Sequence, residues 1–248
     1  MALFAMLLMT LLYPLAGTKI IWRPKRPLVM GGRSLLNGLT SVIVFFSFAN
    51  LPLTQMYTLM FTIPIFVTLL SMIFLREKVG LKRGLAILVG FTGVIIAIRP
   101  EASALTFWHG TALLGVMMIA SIFVITRRYA AIEDNSTLAI WSFPGMIVVP
   151  LLLWPFFSFP MPSALWLWGV LLACGFLAAA AQILMAYALA RLDASFAASF
   201  QYTQVPWAFL YGYFLFGERP DEKMFLGVAI IVAAGLYIVF REARLKGH

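Results

Sequence analysis

The chain has 248 residues, 63% of them hydrophobic and only 11% charged, with a mean hydropathy of +0.99. Soluble domains are about a quarter charged, so 18 basic and 9 acidic side chains are too few to coat a water-facing surface, and the apolar content equally excludes a disordered chain. The single cysteine, Cys174, sits in an apolar run and leaves no intramolecular disulfide or cysteine metal cluster. A net charge of +9 fits a nucleic-acid partner only if the basic residues gather on one face.

A bilayer core takes about 20 apolar residues to cross as a helix. Nine such runs follow in chain order, at 2–17, 28–49, 53–75, 84–98, 110–126, 138–154, 164–189, 196–216 and 225–240. They are too long for barrel strands and lack strict alternation, so each is predicted to be a helix. The fourth, fifth, sixth and ninth are short for a full span, while the seventh is long enough to tilt. The expected fold class is an all-α polytopic membrane helix bundle.

Basic residues stay on the cytoplasmic side of a membrane. With nine spans, one side collects Lys19, Arg23, Lys25, Arg26, Arg33, Arg76, Lys78, Lys82, Arg83, Arg127, Arg128, Arg191, Arg241, Arg244 and Lys246. The other side holds only Arg99, Arg219 and Lys223. This bias predicts a multi-pass protein of the bacterial cytoplasmic (inner) membrane with a cytoplasmic C-terminus, and it accounts for the positive charge without nucleic acid. Residues 1–17 carry no leader charge, so a cleaved signal is not expected. They read as an N-out anchor or as the sequel to an upstream span.

An internal repeat runs through the chain. The stretch beginning ANLPLTQMYTLMFTIPIF at Ala49 returns as ARLDASFAASFQYTQVPW at Ala190. At a spacing of 141 Leu51 falls on Leu192, Thr58 on Ser199, Thr62 on Thr203 and Glu77 on Glu218; Gly93 and Arg99 fall on Gly235 and Arg241 at 142. The copies are five spans apart, and an odd offset inserts the second upside down, the arrangement common in secondary transporters. Residues 1–100 are expected to form the first repeat with four of five helices, 110–242 the second with five, and 243–248 a cytoplasmic tail.

In the segment at 49–100, its weaker copy at 190–242 and the pattern GRSLLNGL at 32–39, the chain resembles the drug/metabolite transporter superfamily of the EamA-domain type. The resemblance implies ten helices, here without the first, two inverted EamA repeats, both termini cytoplasmic, and a central cavity that opens alternately to either side to pass small organic metabolites.

Polar groups inside hydrocarbon are costly and face a cavity or another helix. Arg33, Asn37, Thr40 and Ser47 fall within about 80 degrees of arc on one helix. Arg33 is expected either to snorkel to headgroups or to receive a substrate carboxylate or phosphate. Gln55, Thr58 and Thr62 share a helical spacing, and the repeat carries this face to Ser199, Tyr202 and Thr203; these are the candidate substrate-binding residues. Pro64 and Pro206, near-equivalent in the repeat, are hinge candidates. Glu77 and Glu218 are expected to be structural, capping the start of the helix that follows each. Gln201 and Gln204 point from other faces toward neighbouring helices. Small-residue pairs such as Ala86 with Gly90, Gly93 with Ala97 and Gly175 with Ala179 allow close helix approach and homodimerisation.

The function these features predict is a secondary transporter, permease or exporter, for a small polar or amphipathic metabolite, with lipid and that small molecule as its partners. The competing reading is a truncated, non-transporting bundle that only packs with partner subunits. No catalytic residue, metal site or cofactor is expected: H-E-x-x-H, G-x-S-x-G, paired membrane aspartates and a P-loop are all lacking.

Overall fold

The structure is a computed structural model describing residues 2–15, 20–51, 53–77, 79–98, 106–156, 164–204, 207, 210, 214 and 222–246. Every regular element among them is helical: α1 (Ala2–Leu15), α2 (Pro27–Asn50), α3 (Leu53–Met60), α4 (Ile63–Leu70), α5 (Leu81–Ile98), α6 (Phe107–Tyr129), α7 (Asn135–Ile140), α8 (Phe143–Leu153), α9 (Leu165–Arg191), α10 (Ala194–Ser199) and α11 (Glu222–Lys246). Four segments, Pro27–Asn50, Phe107–Tyr129, Asn135–Phe156 and Leu165–Arg191, are long and apolar enough to cross a membrane. Ala2–Leu11, Ile63–Leu75 and Phe225–Tyr237 are shorter apolar helices. This is an integral membrane protein.

Three runs that hydropathy reads as continuous are interrupted, and each break is followed by a proline. The chain turns at Phe61 and Thr62 before Pro64, and at Trp141 and Ser142 before Pro144. A tighter three-residue-per-turn stretch, Phe200–Thr203, precedes Pro206. Proline has no N–H for the carbonyl four residues back, and its ring collides with that carbonyl. At a helix start, by contrast, it is well tolerated, and Pro64 and Pro144 each lie in the first turn of a new helix, α4 and α8. A π-helical turn, Ser71–Leu75, ends the α4 segment at Arg76, whose left-handed φ of 55° turns the chain.

The chain divides into two compact units, Met1–Phe45 with Ile125–Leu192, and Phe46–Val124 with Asp193–His248. Each takes helices from both halves of the sequence. In the first unit α1 packs on α9, and Ala5, Met9, Met30, Leu138, Ile140, Phe143, Ala179 and Ala186 form a buried core. In the second, α5 packs on α11 around Phe61, Ala86, Ile87, Val94, Tyr202 and Ile231. Gly93 makes the close approach possible, because a Cβ there would lie 2.9 Å from the Gly227 carbonyl oxygen. In the apolar stretch of 18 residues within α9 only 17% is buried, against 50% within Asn135–Phe156. Leu172, Phe176, Leu177 and Leu184 of α9 are exposed.

Candidate functional site

In the first unit, α2 serves the backbone of the interrupted α7 and α8. At the break the Ser142 N–H donates to the Ala139 carbonyl at 3.2 Å rather than to Leu138. The Leu138 carbonyl, lacking that helical partner, accepts from Ser142 Oγ at 3.2 Å and from Arg33 Nη2. Arg33 Nη1 donates to Thr126 Oγ1 at 3.1 Å. One residue on, Ser34 Oγ accepts the Gly145 N–H at 2.8 Å. The two helices touch here so closely that a Cβ on Gly145 would overlap the Ser34 carbonyl, and one on Gly38 would sit 2.7 Å from Val149 Cγ2. Arg33 is 3% exposed, so its guanidinium does not snorkel outward but is turned into the unit. Thr40, also buried, spends its hydroxyl on the Leu36 carbonyl of its own helix at 2.6 Å. Asn37 lies between them without a hydrogen-bond partner for its buried Nδ2. Ser47, the far end of the stripe, shares a hydrogen bond with Thr111 at 3.1 Å within the second unit.

In the second unit the face carried by the repeat divides. Tyr202 is 2% exposed, donates its hydroxyl to the Ile87 carbonyl at 3.1 Å, and lies 6.5 Å ring to ring from Phe61. Ser199 is also buried and donates to the Ser195 carbonyl at 2.9 Å. Thr203 is exposed, with its hydroxyl on the Phe200 carbonyl at 2.7 Å. The tighter turn at Phe200–Thr203 explains the division, since it advances about 120 degrees per residue where an α-helix advances about 100. Thr62 lies at the break and donates to the Leu59 carbonyl at 2.6 Å. Gln204 donates to Gln201, so these amides satisfy each other instead of reaching neighbouring helices. The side chains of Gln55 and Thr58, and all of Pro206 and Glu218, lie outside the described residues.

The charged residues at helix ends are used across the sequence. Glu77 was expected to cap the helix that follows it; its carboxylate instead accepts from the N–H of Ala194 at 2.9 Å and of Ser195 at 3.4 Å, and from Ser195 Oγ at 3.2 Å. It therefore caps α10. Arg83, 4% exposed, donates to Ser195 Oγ at 2.8 Å and pairs with Asp193 at 3.4 Å. Its guanidinium carbon stands 5.9 Å from the centre of the Phe196 ring. In the first unit Glu133 accepts from the N–H of Lys25 at 2.9 Å and of Arg26 at 2.6 Å, at the start of α2. Arg127 donates to the carbonyls of Leu189 and Ala190, at 2.9 and 3.2 Å, at the end of α9. Carboxylates thus sit at helix N-termini and a guanidinium at a C-terminus, the favourable sense of the helix dipole.

Sequence reasoning passed over Ser34, Glu133, Gly145 and Pro144. The signal for the last was available, because T-I-P at Thr62 and S-F-P at Ser142 share one pattern. Among the described residues no three His, Cys, Asp or Glu side chains are placed to hold a metal ion.

Apolar spans, interrupted helices and polar side chains turned inward define a polytopic membrane protein built to hold backbone and polar groups within the bilayer. The model of the EamA-like transporter family matches residues 1–99 and 106–241, and the chain belongs to that family. It is 31% identical to a riboflavin transporter of Vibrio cholerae, over 78% of this chain and 64% of that protein. It is 27% identical to an S-adenosylmethionine uptake transporter of Rickettsia bellii, over 90% of this chain and 76% of that one. A pseudopaline exporter of Pseudomonas aeruginosa is 26% identical over 82% of this chain and 71% of its own length. The chain spans just under two thirds of the length of the riboflavin transporters of Vibrio cholerae and Rhizobium johnstonii. A crystal structure of a protein with 17% identity shares the fold at a TM-score of 0.74, over 94% of this chain and 85% of that one.

Proposed function

We propose that this chain moves a small polar or amphipathic organic metabolite across the bacterial cytoplasmic membrane as a secondary carrier, by alternating access of two inverted repeats at 1–100 and 110–242, with its C-terminus and the 243–248 tail cytoplasmic. The observation that carries the proposal is the contact between Phe61 and Tyr202. They are 141 residues apart, the repeat spacing, and both stand at a helix interruption beside a proline. Residues equated by a twofold repeat meet where the copies face each other, and interrupted helices at such a junction are where transporters bind substrate. The family's two matched segments fall on the two halves, and relatives named for riboflavin, S-adenosylmethionine and pseudopaline are all named as carriers of small organic molecules.

On this reading Arg33, Asn37 and Thr40 on α2, Gln55, Thr58 and Thr62 on the third run, and Ser199, Tyr202 and Thr203 on the eighth bind or position the substrate. Pro64 and Pro206 are the hinges of this reading. The test is a flux screen in membrane vesicles with a metabolite panel that includes riboflavin and S-adenosylmethionine. Saturable flux that Thr203→Val alters is the expected result. No flux for any member of the panel, with the protein folded in the membrane, removes the carrier reading.

A further inference from the structure

Two buried side-chain nitrogens among the described residues lack any hydrogen-bond partner, Arg33 Nε and Asn37 Nδ2. They belong to residues four apart on α2, and so to one face of that helix, one turn from each other. Both atoms are donors. Arg33 is almost wholly enclosed at 3% exposure, and its Nη1 and Nη2 are fixed by the Thr126 hydroxyl and the Leu138 carbonyl. Those acceptors are neutral. Of the two acids between these partners in the sequence, Glu133 takes up the N–H groups of Lys25 and Arg26 at the start of α2 and Asp134 stands at the N-cap position of α7. Arg83 forms an ion pair with Asp193 in the second unit. Arg33 is thus a buried cation whose described partners satisfy two of its nitrogens but none of its charge. Buried charges are retained only when paired or hydrogen-bonded throughout, and a donor left open in hydrocarbon is costly.

A second donor, presented one turn deeper by an amide with no other partner, turns this isolated charge into a site with a direction. Two N–H donors and a full positive charge whose described partners are neutral match an anionic oxygen group. We infer that Arg33 Nε and Asn37 Nδ2 form the subsite that receives the carboxylate of the transported molecule. This inference rests on the carrier reading and narrows it to a substrate bearing a carboxylate. The Thr126 and Leu138 contacts hold the guanidinium plane, and Asn37 supplies the second donor from the following turn.

The site can be tested without knowing the substrate, by supplying the anion from the chain itself. Asn37→Asp places a carboxylate one helical turn from Arg33. In the full chain purified in dodecyl maltoside, Asn37→Asp is expected to raise the unfolding temperature by about 2–4 °C or more, the shift that a gain of about 1 kcal/mol gives in a chain of this size. Asn37→Leu, similar in volume, gives no rise. In the parent protein acetate stabilises at matched ionic strength and its uncharged analogue acetamide does not, and the Asp variant loses the acetate response. The acetate arm needs no variant, so a folding defect in either substitution leaves the inference exposed to disproof. Three results overturn it: Asn37→Asp lowering the unfolding temperature as Asn37→Leu does, acetate and acetamide acting alike, or stabilisation that requires phosphatidylglycerol nanodiscs and is not given by acetate. Absent flux in the vesicle screen with these shifts intact strikes the carrier reading and leaves the anion subsite standing.

Discussion

The carboxylate of Glu77 accepts the backbone N–H of Ala194 at 2.9 Å, joining the end of one helix to the beginning of another that lies more than a hundred residues along the chain. Ser195 completes the arrangement, since its hydroxyl donates to Glu77 and accepts from Arg83 at 2.8 Å. A capping carboxylate at a helix start is worth about 0.5–2 kcal/mol. Glu77→Ala is therefore expected to lower the unfolding temperature by several degrees, and Ser195→Ala by less. Because Ser195 links both charges, the double variant Glu77→Ala with Ser195→Ala should be less damaging than the sum of the two. Thermal unfolding of the single and double variants in detergent checks this, and strict additivity would show the three groups to be independent.

Arg33 divides stability from transport. Arg33→Met keeps much of the volume while removing a buried charge that has no carboxylate partner, and such replacements are often neutral to stability. The Leu138 carbonyl retains Ser142 Oγ. The variant is expected to stay within about 1–2 kcal/mol of the parent, the net worth of the lost hydrogen bonds. Flux of a carboxylate substrate should fall by about tenfold or more, as loss of a charge-assisted hydrogen bond of about 1.5–3 kcal/mol requires. Parallel measurement of membrane abundance and vesicle flux separates the two; equal losses in both would make Arg33 a packing residue alone.

The close approach of α2 to α8 predicts opposite behaviour for two glycines. Gly145→Ala drives a methyl group into the Ser34 carbonyl, and overpacking of that kind costs about 1–3 kcal/mol or more. Gly169, in α9, has open space where a Cβ would stand. Gly169→Ala should be neutral or stabilising by up to about 1 kcal/mol from helix propensity. Expression level and unfolding temperature report both, and a tolerated Gly145→Ala would mean that the helices separate more easily than their backbone contact implies.

Tyr202 and Thr203 are adjacent but oppositely placed. Tyr202→Phe keeps the ring against Phe61 and removes the hydroxyl bonded to the Ile87 carbonyl, a loss of about 1 kcal/mol. Thr203→Val acts on an exposed residue whose hydroxyl bonds only within its own turn, so stability should remain within about 0.5 kcal/mol while flux changes. Chemical unfolding and vesicle uptake distinguish them. A large stability loss in Thr203→Val would place that side chain in packing and withdraw it from the substrate path.

The order of apolar runs, the basic bias to one side and the spacing that equates Thr62 with Thr203 are written along the chain, because a bilayer sorts segments by local hydropathy and flanking charge. Those signals were enough for the fold class, and the resemblance carried by the segments at 49–100 and 190–242 for the family to which the chain belongs. They also contained the break before Pro144, in a pattern shared with Pro64, although the hydropathy run passes over it. What hydropathy could not contain is which acceptor each buried donor meets. Glu77 was legible as a cap but not as the cap of α10, Arg33 as one end of a polar stripe but not as a buried cation or the partner of Leu138, and Ser199, Tyr202 and Thr203 as one face but not as a face divided by a tighter turn. Each outcome depends on backbone groups from distant helices or on a local change of helical pitch. A hydrogen bond inside a membrane protein is decided by where a freed carbonyl or N–H comes to rest in three dimensions, and only the packed helices fix that.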